Sequence, residues 1–143
     1  MNVKTVLLAT DFSDCSEVAA RYAMSLARDA GARLHVVHVI ESSSHGSGGL
    51  VDMNDSLLKQ MLDELVAEEP NIQHESHLLV GDPTNEILHY VKDNQINIAV
   101  VGTHGRSGMS RLLTGSVAEA LLRRAPCPVL TVKSTESITE GVS

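Results

Sequence analysis

The residues best suited to chemistry lie in one stretch, Gly102-Thr103-His104-Gly105-Arg106-Ser107-Gly108-Met109-Ser110-Arg111-Leu112-Leu113-Thr114-Gly115-Ser116. Two residues separate Gly102 from Gly105, nine separate Gly105 from Gly115, and Ser116 follows at once. Glycine lets backbone N–H groups approach an anion closely and accepts positive φ. Ser116 falls where a helix is expected to begin, and the free N–H groups and positive dipole end there favour phosphate. Its hydroxyl can donate as well. Arg106 and Arg111 make the stretch basic in a chain of formal net charge -7, the local reversal of sign that a phosphate site needs. A flexible loop closed by an ordinary serine cap is the competing reading. The position after an apolar strand and before a helix favours the phosphate cradle. His104 lies in the same loop, either against a phosphate or in solvent.

A second candidate is Asp11, which closes an apolar run and so places a carboxylate at a strand's carboxyl end. Its alternative is a turn-forming or capping aspartate. The chain has seven histidines, but His35 and His38 are three apart on an expected strand and face opposite sides, as do His74 and His77. Neither pair chelates one ion. Cys15, in the first turn of a helix, is either an activated thiol or a packed one, and the packed reading is preferred. Cys127 lies between two prolines and reads as a strand-entry residue. There is no Walker sequence ending in Gly-Lys-Ser/Thr, no nucleophile elbow and no Ser-Gly-Gly-x-Asp-Ser loop. No residue stands out as a base for an attacking water, so hydrolysis is expected to be absent or slow.

These residues need elements to hold them. Val3–Thr10 is a continuous apolar run suited to a strand buried on both faces. A helix is predicted from about Cys15 to Ala30, capped by Asp14 with Glu17 three residues on, and stopped by Gly31. Leu34–Ile40 reads as a strand and Ser42–Gly49 as a loop. Asp55–Glu69 reads as a helix with Leu58, Met61, Leu62 and Leu65 on one face. Ile72–Val80 is a more polar strand and belongs near an edge. Asp82 and Pro83 open a helix that ends near Asn94. Ile96–Val101 is a strand, Ser116–Arg124 a helix and Pro128–Val132 a strand. Strand and helix alternate throughout, which implies an α/β fold with a parallel sheet and helices on both faces. Ligands in such folds sit beyond the carboxyl ends of the strands where the winding reverses.

The 143 residues suit one domain spanning 1–143, with 134–143 a polar tail. Hydrophobic residues are 43% and charged residues 20%, as in a folded globular chain. No run is apolar enough to span a bilayer, and no signal peptide is recognised, so a cytoplasmic location is expected. The negative charge argues against nucleic acid as a partner. Aromatic residues are only 2%, so a flat ligand ring would be held mainly by aliphatic walls.

The glycine pattern, together with Thr10-Asp11-Phe12-Ser13, Val36-Val37-His38-Val39, Gly81-Asp82-Pro83 and Pro126-Cys127-Pro128-Val129-Leu130, resembles the ATP-binding branch of the universal stress protein family. The resemblance runs over about residues 3–133. It implies a single three-layer, Rossmann-like domain with a five-stranded parallel sheet of order 3-2-1-4-5. It also implies roles. Asp11 would contact the ribose or adenine side, and Val39 would offer backbone groups to the adenine edge. Ala9 stands where the family often has proline beside the adenine slot. Gly102 would lie under the ribose and first phosphate; Gly105, Gly115, Ser116 and Val117 would hold the phosphates, with His104 and Arg106 in the same loop. The implied ligand is ATP, or AMP or ADP, with Mg²⁺ or Mn²⁺ bridging its phosphates. The expected function is a regulatory, stress-response nucleotide-binding module. An ATPase or phosphotransferase using the same pocket, and an adaptor without nucleotide, are the alternatives. A homodimer through the edge strand Val129–Val132 is expected, since bare edges tend to pair.

Overall fold

The computed structural model describes residues 2–41, 48–103 and 115–133. Their elements run β1 (Thr5–Ala9), α1 (Asp14–Ala30), β2 (Arg33–Ile40), α2 (Gly48–Leu65), β3 (His74–Val80), α3 (Pro83–Asp93), β4 (Ile98–Gly102), α4 (Gly115–Arg124) and β5 (Val129–Val132). All strand pairs are parallel. The sheet order is β3-β2-β1-β4-β5, as expected. The more polar β3 and the short, apolar β5 form the edges. Among the described residues no helix is long and apolar enough to cross a membrane.

Alternate strand residues feed two cores. Val6, Leu8, Leu34, Val36 and Val100 pack with Ala19, Ala23 and Ala27 of α1 and Leu62 of α2. Leu7, Ala9, Val37, Ala99 and Val101 pack with Ile87 and Val91 of α3 and Ala118 and Leu121 of α4. The alanine stripe lets α1 lie close to the sheet. Full burial of each Val, Leu or Ile side chain stabilises the fold by roughly 1.5–3 kcal/mol before entropy is counted, so the aliphatic interior replaces the missing aromatics.

The strands begin or end one or two residues from the expected bounds at several places, and four boundaries carry a lesson. The α1 cap is Ser13, not Asp14: the Ser16 amide donates to Ser13 Oγ at 3.3 Å. The Glu17 amide donates to the Ser13 carbonyl at 3.1 Å, which places Glu17 one residue too late for a capping box. The cause is upstream, where Asp11 binds both Ser13 and Ser16 and tightens the turn. Helix α2 begins at Gly48, inside the Ser/Gly/His-rich stretch read as a loop, and ends at Leu65. Strand β4 starts at Ile98, because Asn97 is occupied in accepting the Lys4 and Thr5 amides through its side chain. Helix α4 starts at Gly115, one residue early. Two ends match their expected chemistry. Gly31, at φ 65°, closes α1 with its amide and that of Ala32 bonded back to Arg28 and Ala27. Asp82 caps α3 by accepting the Asn85 amide at 3.0 Å, with Pro83 at the first helical position.

The reassigned cap predicts an asymmetry. Ser13→Ala should cost about 1 kcal/mol of stability, and Asp14→Ala less than half of that. Urea midpoints of the two variants check the order.

Candidate functional site

Strand β1 leads into α1 on one face of the sheet, and its neighbour β4 leads towards α4 on the other. This is the reversal point where ligands collect in such sheets. The loop after β1 is heavily bonded. The Thr10 amide donates to the Val37 carbonyl at 3.0 Å, and the Thr10 carbonyl lies 2.8 Å from His38 Nδ1. The Phe12 amide donates to Thr10 Oγ1 at 3.0 Å. Asp11 Oδ1 accepts from the Ser13 amide at 3.0 Å and from Ser16 Oγ at 2.7 Å, while the Asp11 amide donates to Ser16 Oγ at 3.1 Å. Within this net Phe12 takes φ 65°, a left-handed conformation that is unusual for a bulky side chain. Its ring packs on His38 with centroids 4.7 Å apart. Asp11 therefore performs the turn-forming role, with its carboxylate at the carboxyl end of β1.

Val39 is positioned by strand parity. The Arg33 amide and the Val37 carbonyl point at β1, and the Leu34 amide and the Ile40 carbonyl point at β3. The amide and carbonyl of Val39 share the parity of residues 33 and 37 and face the β1 side. Pairing with β1 stops at Ala9–Val37, so they face the gap the chain leaves as it turns away. Ala9 is the last residue of β1 and fully buried, so it is a strand residue and not part of the loop.

Gly102 is the last residue of β4 and is buried. A Cβ there would lie 2.7 Å from the Cys15 carbonyl carbon and oxygen and 3.0 Å from the Ser16 amide. The glycine thus admits the first turn of α1 onto β4. Gly115 and Ser116 open α4, and Val117 packs towards the α3–α4 core. His104, Gly105 and Arg106 lie outside the described residues.

The universal stress protein family matches residues 2–133. The chain belongs to that family. Universal stress protein MJ0531 of Methanocaldococcus jannaschii is 34% identical, over 91% of this chain and 82% of its own length. The solved structure of MJ0577, from the same organism, superposes with a TM-score of 0.79 at 25% identity, over 93% of this chain and 97% of that one. A universal stress protein from Archaeoglobus fulgidus, solved in complex with dAMP, gives 0.69 at 24% identity, over 93% and 100%. That likeness carries the fold.

This universal stress protein also holds a polar cluster that no motif announces. His35 and His38 do face opposite sides, but His35, Glu75 and His77 share one face across β2 and β3. His35 Nδ1 is 2.7 Å from the Tyr90 hydroxyl, and His77 Nε2 is 2.8 Å from Glu75 Oε1. The His77 hydrogen bond holds the Glu75 carboxyl below its usual range. Burial raises the Tyr90 hydroxyl to about 12 and so keeps it protonated. Among the described residues no group of three His, Cys, Asp or Glu side chains is placed to hold a metal ion. Cys15 is buried, and burial pushes the Cys127 thiol up, away from the reactive thiolate. The sequence reading passed over Ser16 and His38. The signal for Ser16 was Asp11-x-Ser13 followed by Ser16, an aspartate turn feeding a serine cap. For His38 only the strand register reveals Thr10 as its partner.

Two predictions follow from this geometry. Gly102→Ala should cost about 2 kcal/mol, because the new Cβ meets backbone that cannot swing aside; thermal melting measures it. Burial also holds His35 and His38 below the ordinary imidazole value of 6.5. The unfolded chain then binds more protons than the native one as pH falls through 6.5, so this share of stability is complete above 6.5 and is lost below it. Urea midpoints should be lower at pH 5.5 than at pH 7.5, and equal midpoints would contradict neutral buried imidazoles.

Proposed function

We propose that this universal stress protein is a regulatory adenine-nucleotide binder that takes ATP, or AMP or ADP, at the β1–β4 reversal point. The observation that carries the reading is the backbone of Val39, facing the gap left by β1. An amide and a carbonyl side by side match the donor and acceptor on the edge of adenine. The Asp11 loop lies next to that gap, and Gly115 opens a helix N-terminus, where phosphate is favoured. The Archaeoglobus relative bound to dAMP supports an adenine nucleotide as the ligand class. In this reading Asp11 contacts the sugar. Gly105, Gly115, Ser116 and Val117 hold the phosphates, assisted by His104 and Arg106. A bridging Mg²⁺ or Mn²⁺ would rest mainly on phosphate oxygens.

The nucleotide acts as a ligand that favours one conformation or assembly, in the cytoplasm, with hydrolysis slow or absent. Asp11, the carboxylate at the end of β1, is committed to Ser13 and Ser16. The edge position of β5 supports a homodimer through Val129–Val132.

Gly115→Val should weaken ATP binding about tenfold or more, the equivalent of one lost charged hydrogen bond, as read by calorimetric titration. Equal affinity in both proteins would sink the site. Phosphate release at several turnovers per second, lost on removing Asp11 and Ser116, would turn the reading into an ATPase.

A further inference from the structure

We infer that His38 is a positioning residue of the nucleotide site: its Nδ1–H and its ring set the shape of the loop that carries Asp11. The inference rests on the nucleotide reading above and adds a residue to it.

The tautomer follows from the partner. A carbonyl oxygen only accepts, so at 2.8 Å from the Thr10 oxygen Nδ1 must carry the proton. Burial favours the neutral ring, and a neutral ring with Nδ1–H has an unprotonated Nε2. The bond is nonlocal, joining residues 28 apart in sequence, and it is buried. It holds one side of the Thr10 peptide while the Val37 carbonyl holds the other residue end through the Thr10 amide. Both grips come from adjacent residues of β2. The chain therefore leaves the sheet at a set point and angle.

Everything downstream inherits that angle. Thr10 Oγ1 takes the Phe12 amide, Phe12 turns left-handed, and its ring closes on the His38 ring. A bulky residue held at φ 65° is strained, and the conformation persists only where the surroundings over-determine it. His38 supplies two of those determinants, the hydrogen bond and the ring face. Phe12 also packs against the core between α1, α2 and the sheet and lines an open pocket with Glu17, Met61, Glu64 and Leu65. Asp11 lies between the two pinned residues. Without His38, the Thr10 carbonyl loses a buried partner, and the loop can relax to a conformation that aims the Asp11 backbone and carboxylate elsewhere.

His38→Asn keeps an N–H donor at the place of Nδ1 and removes the ring; His38→Leu keeps bulk and removes the donor. Affinity for adenosine, which reaches the base and sugar site and carries no phosphate, is measured beside affinity for ATP and thermal melting. The expected result is that His38→Asn, which keeps the donor and gives up the ring contact, binds adenosine about threefold more weakly than wild type, with a lower melting temperature. His38→Leu should lose about tenfold or more, the cost of a buried carbonyl left unpaired. Circular dichroism establishes that both variants are folded. Nitrogen-15 spectra of labelled histidine should show His38 protonated on Nδ1, and its signals should shift on adding adenosine. Nucleotide binding by wild type with equal affinities in the two variants, or a His38 protonated on Nε2 alone, overturns the positioning role. A wild-type protein that binds neither adenosine nor ATP overturns the nucleotide reading and the role built on it. If both variants unfold, the nitrogen-15 spectra of the wild type alone decide, since a ring whose signals ignore bound adenosine also overturns the role.

Discussion

The close approach of α1 to the end of β4 is the constraint on which the crevice depends. Helix and strand backbones come within van der Waals distance at Gly102 and Cys15, where a single added carbon would overlap. The alanines at 19, 23 and 27 extend the same closeness down the helix. A helix held this near the sheet must begin almost as soon as β1 ends. Four residues, Thr10 to Ser13, make the whole reversal. So short a turn cannot satisfy its amides by ordinary backbone pairing, and buried unpaired amides are costly. Side chains take over, and those of Thr10, Asp11, Ser13 and Ser16 each bond backbone or one another within the turn.

That substitution explains why the loop is polar in composition yet rigid in construction. Thr10, Asp11 and Ser13 each accept an amide two or three residues on, the pattern that such residues favour in turns and caps, and Ser16 reaches back to the Asp11 amide. The net cost falls on Phe12, which adopts a left-handed backbone. Strain at a loop beside a proposed ligand site has a physical use. A loop already in its final shape loses little entropy when a ligand arrives, and affinity is not spent on ordering it.

The fold was legible in the sequence because its signals are local. Val3–Thr10 and Leu34–Ile40 are mainly apolar, and Gly31, Asp82 and Pro83 mark their helix ends by conformations those residues favour. One edge strand, β3, showed in the polarity of Ile72–Val80. The misplaced cap at Asp14 shows where local reasoning stops. Ser13 wins because Asp11, two residues outside the helix, draws the turn inward. Registers are further from view. That His35 and His77 share a face with Glu75, and that His38 reaches Thr10, depends on how β1, β2 and β3 align. No single segment encodes that alignment. Gly102 was legible as special but for a different reason: the motif pointed at a ligand, whereas the first demand on it comes from Cys15. Both demands suit a position at the end of β4.

Two helices start at the reversal point, and their chemistry would separate the ends of the proposed nucleotide. The N-terminus of α1 is already occupied. Ser13 takes the Ser16 amide through its hydroxyl and the Glu17 amide through its carbonyl. Asp14 and Glu17 add two carboxylates to the first turn, with Asp11 beside them. Those carboxylates cancel the positive end of the dipole and repel phosphate. The first turn of α4 has no acidic residue, and it opens on Gly115, which places no side chain over the amides. In the proposed reading a phosphate is therefore turned from α1 towards α4. The acidic α1 end suits hydroxyl donors instead, which is what a ribose presents. For the proposed ligand this sets a direction as well as a place, with sugar and base along β1 and β2 and phosphates towards α4. In that reading the direction arises from the carboxylates already gathered at the start of α1.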